Sequence, residues 1–190
     1  MQEHLLIDGH SVGEFTALAV AGAISFKDGL KIVEKRGEIM SRVTGGGMSA
    51  VIGLAEDEIR KTLQCNDFHE VDLANFNSPG QIVLSGPASQ IQNSVSVLKE
   101  AGAKLVVPLK VSGAFHSHMM REPALEFAEF LKQFSFSAPK FPVYANIDAQ
   151  PYRSAESISE GLVKQMYSPV RWSDTITRMR QAKAENFLEC

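Results

Sequence analysis

The chain has 190 residues, 44% of them hydrophobic and 22% charged, with a formal net charge of −3 at pH 7. That length supports one substantial core, or a core with a smaller insertion, and leaves no room for two full-size domains. The charge balance argues against nucleic-acid and membrane-surface binding. Two cysteines, Cys65 and Cys190, make no disulfide or metal framework, and no apolar run approaches the roughly 20 residues that span a bilayer.

Residues 5–8 read as a short apolar strand that runs into Gly9-His10-Ser11-Val12-Gly13. This is the pattern of a nucleophile elbow, a strained strand-to-helix turn that exposes a serine hydroxyl, with small residues on either side so that strand and helix approach closely. Gly9 and Gly13 supply them, Ser11 is the candidate nucleophile, and the backbone N–H of Val12 is the candidate oxyanion donor. A plain glycine-rich turn is the competing reading. The apolar run before the motif and the buried helix expected over residues 15–21 after it favour the elbow.

A break at residues 21–23 precedes a helix expected over residues 28–43, with Asp28 as its N-cap. Leu30, Val33, Gly37, Met40 and Val43 fall at helical spacing, and Arg36 stands at the edge of that stripe. Spacing leaves two readings of Arg36 open: a side chain that snorkels to solvent or pairs with Glu34, Glu38 or another acid elsewhere, and a bidentate clamp for a substrate carboxylate. Residues 44–47 make a glycine hinge. A strand follows them rather than a helix, so they are no phosphate loop.

From residue 47 to residue 110 the pattern changes to strand (48–54), helix (56–64), strand (71–76), a Pro-Gly turn, strand (81–86), helix (87–101) and strand (104–109). That order is a ferredoxin-like βαββαβ subdomain set into a larger α/β core made of residues 1–46 and 111–190. The core resumes at Gly113-Ala114-Phe115-His116-Ser117-His118. Two histidines in a Ser/Gly-rich loop suit a general base for the serine better than a zinc pair, since no third ligand is patterned nearby; a structural histidine loop is the remaining alternative. A helix with Leu125, Phe127, Ala128, Leu131 and Phe134 in phase, a strand over 141–147, a helix over 158–166, a turn at 168–172, a helix over 173–182 and a final strand over 186–190 complete the chain. Trp172 is expected to serve packing.

These blocks resemble the malonyl-CoA:acyl-carrier-protein transacylases and the related acyltransferase domains of fatty-acid and polyketide synthases. Gly9-His10-Ser11-Val12-Gly13-Glu14-Phe15, Lys35-Arg36-Gly37-Glu38-Ile39-Met40, Asn75-Phe76-Asn77-Ser78-Pro79-Gly80-Gln81, Gly113-Ala114-Phe115-His116-Ser117-His118 and Gln165-Met166-Tyr167-Ser168-Pro169-Val170-Arg171-Trp172 follow in family order. The resemblance implies a hydrolase-like parallel-sheet core carrying the ferredoxin-like subdomain. It implies malonyl transfer from malonyl-CoA to the phosphopantetheine thiol of acyl carrier protein in fatty-acid biosynthesis, through a malonyl-serine at Ser11, with His116 as base held largely by backbone carbonyl. Arg36 would then grip the malonyl carboxylate, with Met40 and Phe115 lining the acyl site and Phe115 excluding branched extenders.

The resemblance further implies no metal and no cofactor, coenzyme A entering only as substrate, and a monomer in the cytoplasm or, were a transit peptide to precede this sequence, in an organelle. The family's N-terminal Gly-Gln-Gly loop and C-terminal Gly-Pro-Gly segment do not occur here, so the chain is expected to be truncated at both ends. A catalytically impaired fragment is thus one alternative. A serine esterase is another, disfavoured because α/β-hydrolases place their histidine last.

Overall fold

The computed structural model describes residues 5–111 and 113–189. In chain order its elements are α1 (Gly13–Val20), α2 (Phe26–Ser41), β1 (Gly46–Ile52), α3 (Glu56–Cys65), β2 (Asp72–Ser78), β3 (Gln81–Pro87), α4 (Ala88–Glu100), β4 (Leu105–Pro108), a 3₁₀ turn at His118–Met120, α5 (Arg121–Leu131), α6 (Ala155–Gln165) and α7 (Trp172–Gln181).

The four strands form one sheet in the order β2-β3-β1-β4, every neighbour antiparallel. This is the ferredoxin-like order that the strand and helix sequence predicts. Alternation divides the strand residues between two faces. Val51, Leu73, Leu84 and Val106 pack under α3 and α4, while Met48, Ala50, Ala74 and Val83 gather on the opposite face with Phe115. Two register shifts in the β2–β3 hairpin bend β2. Its outer edge joins the segment before α7, where Phe76 N–H donates to Val170 O and Val170 N–H to Ala74 O, both at 2.9 Å.

The larger core packs α1, α2, α5 and α6 around Phe15, Leu18, Ile32, Phe127 and Leu162. The segments read as strands at 5–8 and 141–147 are reduced to a parallel bridge between Ile7 and Val143 and an antiparallel one between Tyr144 and Pro151. A ladder needs paired neighbours along its length, and among the described residues these two segments have little beyond each other. Residues 186–189 are irregular rather than strand, and Cys190 lies outside the described residues, as does Ser112 of the histidine loop. No helix among the described residues is long and apolar enough to cross a membrane.

Two local expectations change. Ser25, not Asp28, caps α2: its Oγ accepts from Asp28 N–H at 3.1 Å, which starts the helix at Phe26. The buried face of α2 is Gly29, Ile32, Arg36, Ile39 and Met40, whereas Leu30 is exposed. Two apolar sets offset by about one position occur on this helix. The one that wins carries Arg36 at its centre, because polar partners for the guanidinium wait in the core. Trp172 is only half-buried, and its ring lies 5.5 Å from that of His10.

Candidate functional site

Ser11 sits at the tip of the turn before α1 with φ of 53°. That left-handed conformation costs a non-glycine residue free energy and persists only where neighbours hold it. Asn146 holds it here. Its Oδ1 accepts the Ser11 N–H at 2.7 Å, and its Nδ2 donates to Gly9 O at 2.9 Å, so one amide spans the turn. The glycines divide unequally: a Cβ on Gly9 would lie 2.1 Å from the carbonyl of Gly13, whereas one on Gly13 would meet nothing within 4 Å. Close approach therefore depends on Gly9 alone.

Of the two histidines in the loop, His116 reaches the serine. Its Nε2 lies 2.8 Å from Ser11 Oγ, and its Nδ1 lies 2.8 Å from Gln165 O. A carbonyl only accepts, so Nδ1 carries the proton and Nε2 is left as the acceptor that a general base needs. His116 also has positive φ, 58°, and its N–H donates to Met166 O at 3.1 Å. Burial, reinforced by the Arg36 cation, pushes its pKa down to about 4. His118 turns away, its Nδ1 2.7 Å from Asp72 Oδ2 on β2.

Arg36 is buried, 6% exposed. The same terminal nitrogen donates to Ser11 Oγ at 3.0 Å and to Gln165 Oε1 at 2.9 Å, and the guanidinium lies 5.4 Å from the centre of the Phe15 ring. Glu38 pairs with Lys35 instead, and the Arg36 side chain is directed into the core rather than snorkelling to solvent. Burial lowers its pKa to about 10, so it remains a cation at neutral pH.

The Val12 N–H, at the start of α1, makes no intramolecular hydrogen bond among the described residues, while the next three N–H groups donate to His10 O, Ser11 O and Val12 O. Phe115 packs between the larger core and the open face of the sheet. Met40 lies buried in the core one turn beyond Arg36. The glycine hinge brings the two parts together, since a Cβ on Gly46 would stand 2.4 Å from Ala114 N.

Three residues of the site escaped the sequence reading. Gln165 gives its carbonyl to His116 and its Oε1 to Arg36, and its Nε2 donates to Ser11 O at 2.9 Å and to Glu14 Oε2 at 2.6 Å. Glu14 is fully buried and also accepts from the Tyr152 hydroxyl and from Asn146 N–H. Asn146 is the third. The available signal was a polar residue on an apolar stripe: Gln165 follows Ile158, Gly161 and Leu162 on the buried face of α6, and Glu14 shares the buried face of α1 with Phe15, Ala17 and Leu18.

A serine hydroxyl that meets a neutral imidazole and a buried cation is an arrangement chemically able to attack an acyl group. Comparison with known proteins shows what the chain is similar to. The acyl transferase domain profile matches residues 2–190. A polyketide biosynthesis malonyl CoA-acyl carrier protein transacylase of Bacillus subtilis, PksC, is 42% identical over 184 residues, covering 96% of this chain and 64% of its own length. The crystal structure of an acyl carrier protein S-malonyltransferase from Vibrio cholerae superposes with a TM-score of 0.91 at 38% identity, over 95% of this chain and 60% of that one. A malonyl-transacylase solved in complex with a type II polyketide synthase acyl-carrier protein gives a TM-score of 0.89 at 38% identity, over 94% and 59%. The chain thus spans about three-fifths of the length of these relatives, and its fold is theirs over that span.

Proposed function

Because the chain belongs to the acyl transferase domain family, we propose that it moves a malonyl group from malonyl-CoA to the phosphopantetheine thiol of an acyl carrier protein through a malonyl-Ser11 intermediate. The observation that carries this reading is the buried Arg36 cation 3.0 Å from Ser11 Oγ. A guanidinium there has no use for a neutral acyl chain, but it matches a carboxylate one methylene away from the carbonyl under attack.

Ser11 Oγ attacks the thioester carbonyl while His116 Nε2 takes its proton, and the Gln165 carbonyl steadies the imidazolium that forms. The Val12 N–H faces the developing oxyanion. Collapse breaks the C–S bond, and the departing coenzyme A thiolate takes the proton from His116. The acyl-carrier thiol then repeats the steps in reverse, giving its proton to His116 and leaving Ser11 free. In this reading Ser11 and His116 carry the exchange, and coenzyme A enters as substrate rather than cofactor. Phe115, between core and subdomain, and Met40, behind Arg36, bound the space for the acyl group.

The test is transfer itself. The chain, malonyl-CoA and holo-acyl carrier protein should yield malonyl-acyl carrier protein, at a rate that Arg36→Ala lowers more for malonyl than for acetyl. Equal losses for the two acyl groups would remove the assignment of Arg36, and hydrolysis of malonyl-CoA without transfer would contradict the reaction.

A further inference from the structure

Arg36 is a buried cation, and among the described residues no carboxylate lies within ion-pairing distance of it. The nearest compensation comes through an amide. Gln165 Oε1 accepts from Arg36 at 2.9 Å, and Gln165 Nε2 donates to Glu14 Oε2 at 2.6 Å. An ionised carboxylate only accepts and a guanidinium only donates, so the two fix the amide's orientation between them. We propose that Glu14 is the counter-charge of the Arg36 clamp, and that it takes up a proton from solvent when an anionic acyl group binds to Arg36. The proposal rests on the reading of Arg36 as a carboxylate clamp.

The empty site holds one cation balanced by one buried anion. A substrate carboxylate on Arg36 would make two anions share one guanidinium in a site that water does not screen, and the cheaper state neutralises one of them. The substrate carboxylate touches the cation directly, so Glu14 is the one to protonate. Groups facing Glu14 agree with this. Tyr152 OH, Gln165 Nε2 and Asn146 N–H donate to it, Asp8 beneath the elbow adds a like charge, and His116 stays neutral above about pH 4. Burial, opposed by those three donors and helped by Asp8, lifts the Glu14 pKa to about 7. Desolvation also lifts the half-buried Asp8, to about 7, but it lies behind Asn146 and makes no described contact with Arg36 or Gln165.

The experiment is calorimetric titration of the unreactive Ser11→Ala chain with malonyl-CoA, in buffers of differing ionisation enthalpy. Near pH 8, uptake of about one proton per malonyl-CoA is expected, with the dissociation constant rising up to about tenfold per pH unit. Acetyl-CoA should show neither effect. Adding Glu14→Gln keeps the hydrogen-bonding shape and removes the charge, so the uptake should vanish. Adding Asp8→Asn should leave it in place. Tyr152→Phe removes a donor that favours the ionised form, so it should move the uptake to higher pH, and it serves if Glu14→Gln does not fold. No uptake by Ser11→Ala, or uptake that survives Glu14→Gln, overturns the proposal. Malonylation of Ser11 in the wild-type chain is followed in parallel. If Ser11 is malonylated and no proton is taken up, only the role of Glu14 fails. If Ser11 is never malonylated, the reading beneath it fails as well.

Discussion

Lowering the pH across the acid range should leave Ser11 reactive far below the point at which an ordinary histidine loses its function as a base. His116 is nearly fully buried, and the Arg36 cation lies on the same serine hydroxyl. Together they move the imidazole from 6.5 to about 4, against the opposing pull of the Gln165 carbonyl. That shift corresponds to roughly 3 kcal/mol favouring the neutral ring. A lowered histidine pKa means that the base is fully present above the ordinary value and is lost only as pH falls through the shifted one. The assay is the rate at which a sulfonyl fluoride labels Ser11, with circular dichroism confirming that the chain stays folded. At pH 5.5 an unshifted imidazole would have lost about nine-tenths of its activity, whereas this site should stay within about twofold of its rate at pH 8. Arg36→Ala removes the cation and should move the midpoint upward. A wild-type midpoint between pH 6 and 7, or a midpoint indifferent to Arg36→Ala, would refute this electrostatic account of the base.

Gly9→Ala should destabilise the chain by about 3 kcal/mol or more, because its methyl would overlap the Gly13 carbonyl, while Gly13→Ala should be tolerated; denaturant midpoints of the two variants separate these outcomes. Asn146→Ala removes the acceptor of the Ser11 N–H and the donor to Gly9 O and Asp8. We expect a loss of about 2–4 kcal/mol and a slower labelling of Ser11, checked by urea unfolding and by the same reagent. Arg36→Ala should reduce the preference for malonyl-CoA over acetyl-CoA by about 10- to 100-fold, the worth of one charge-assisted hydrogen bond, in competition measurements of Ser11 acylation.

The residues that meet at Ser11 were legible as candidates because each is a type that the local pattern makes conspicuous: a serine between glycines, histidines in a Ser/Gly loop, an arginine near an apolar stripe whose role spacing alone left open. The subdomain was legible because each of its strands and helices carries its own period and its own turn chemistry, so local signals suffice to order them. What stayed hidden depends on contacts between distant segments. Leu30 and Ile32 offered rival faces for α2, and only packing against α1 and α5, with Gln165 waiting for Arg36, selects the second. The segments at 5–8 and 141–147 have the composition of strands, yet strand character depends on the neighbours they find. Asn146 and Gln165 were passed over because they reach Ser11 from 135 and 154 positions away, and Glu14, though only three positions from Ser11, because its partners Tyr152, Asn146 and Gln165 are equally remote; at such distances a single sequence carries no pairing signal. The choice between His116 and His118 required the same knowledge, since Asp72 takes the second histidine out of the site.

The ester at Ser11 is the bond on which transfer depends. After brief incubation of the chain with malonyl-CoA and rapid acid quenching, peptide mass mapping should place a malonyl ester on Ser11, and subsequent holo-acyl carrier protein should discharge it. An unmodified Ser11, or an equal adduct in Ser11→Ala, would contradict transfer through a malonyl-serine.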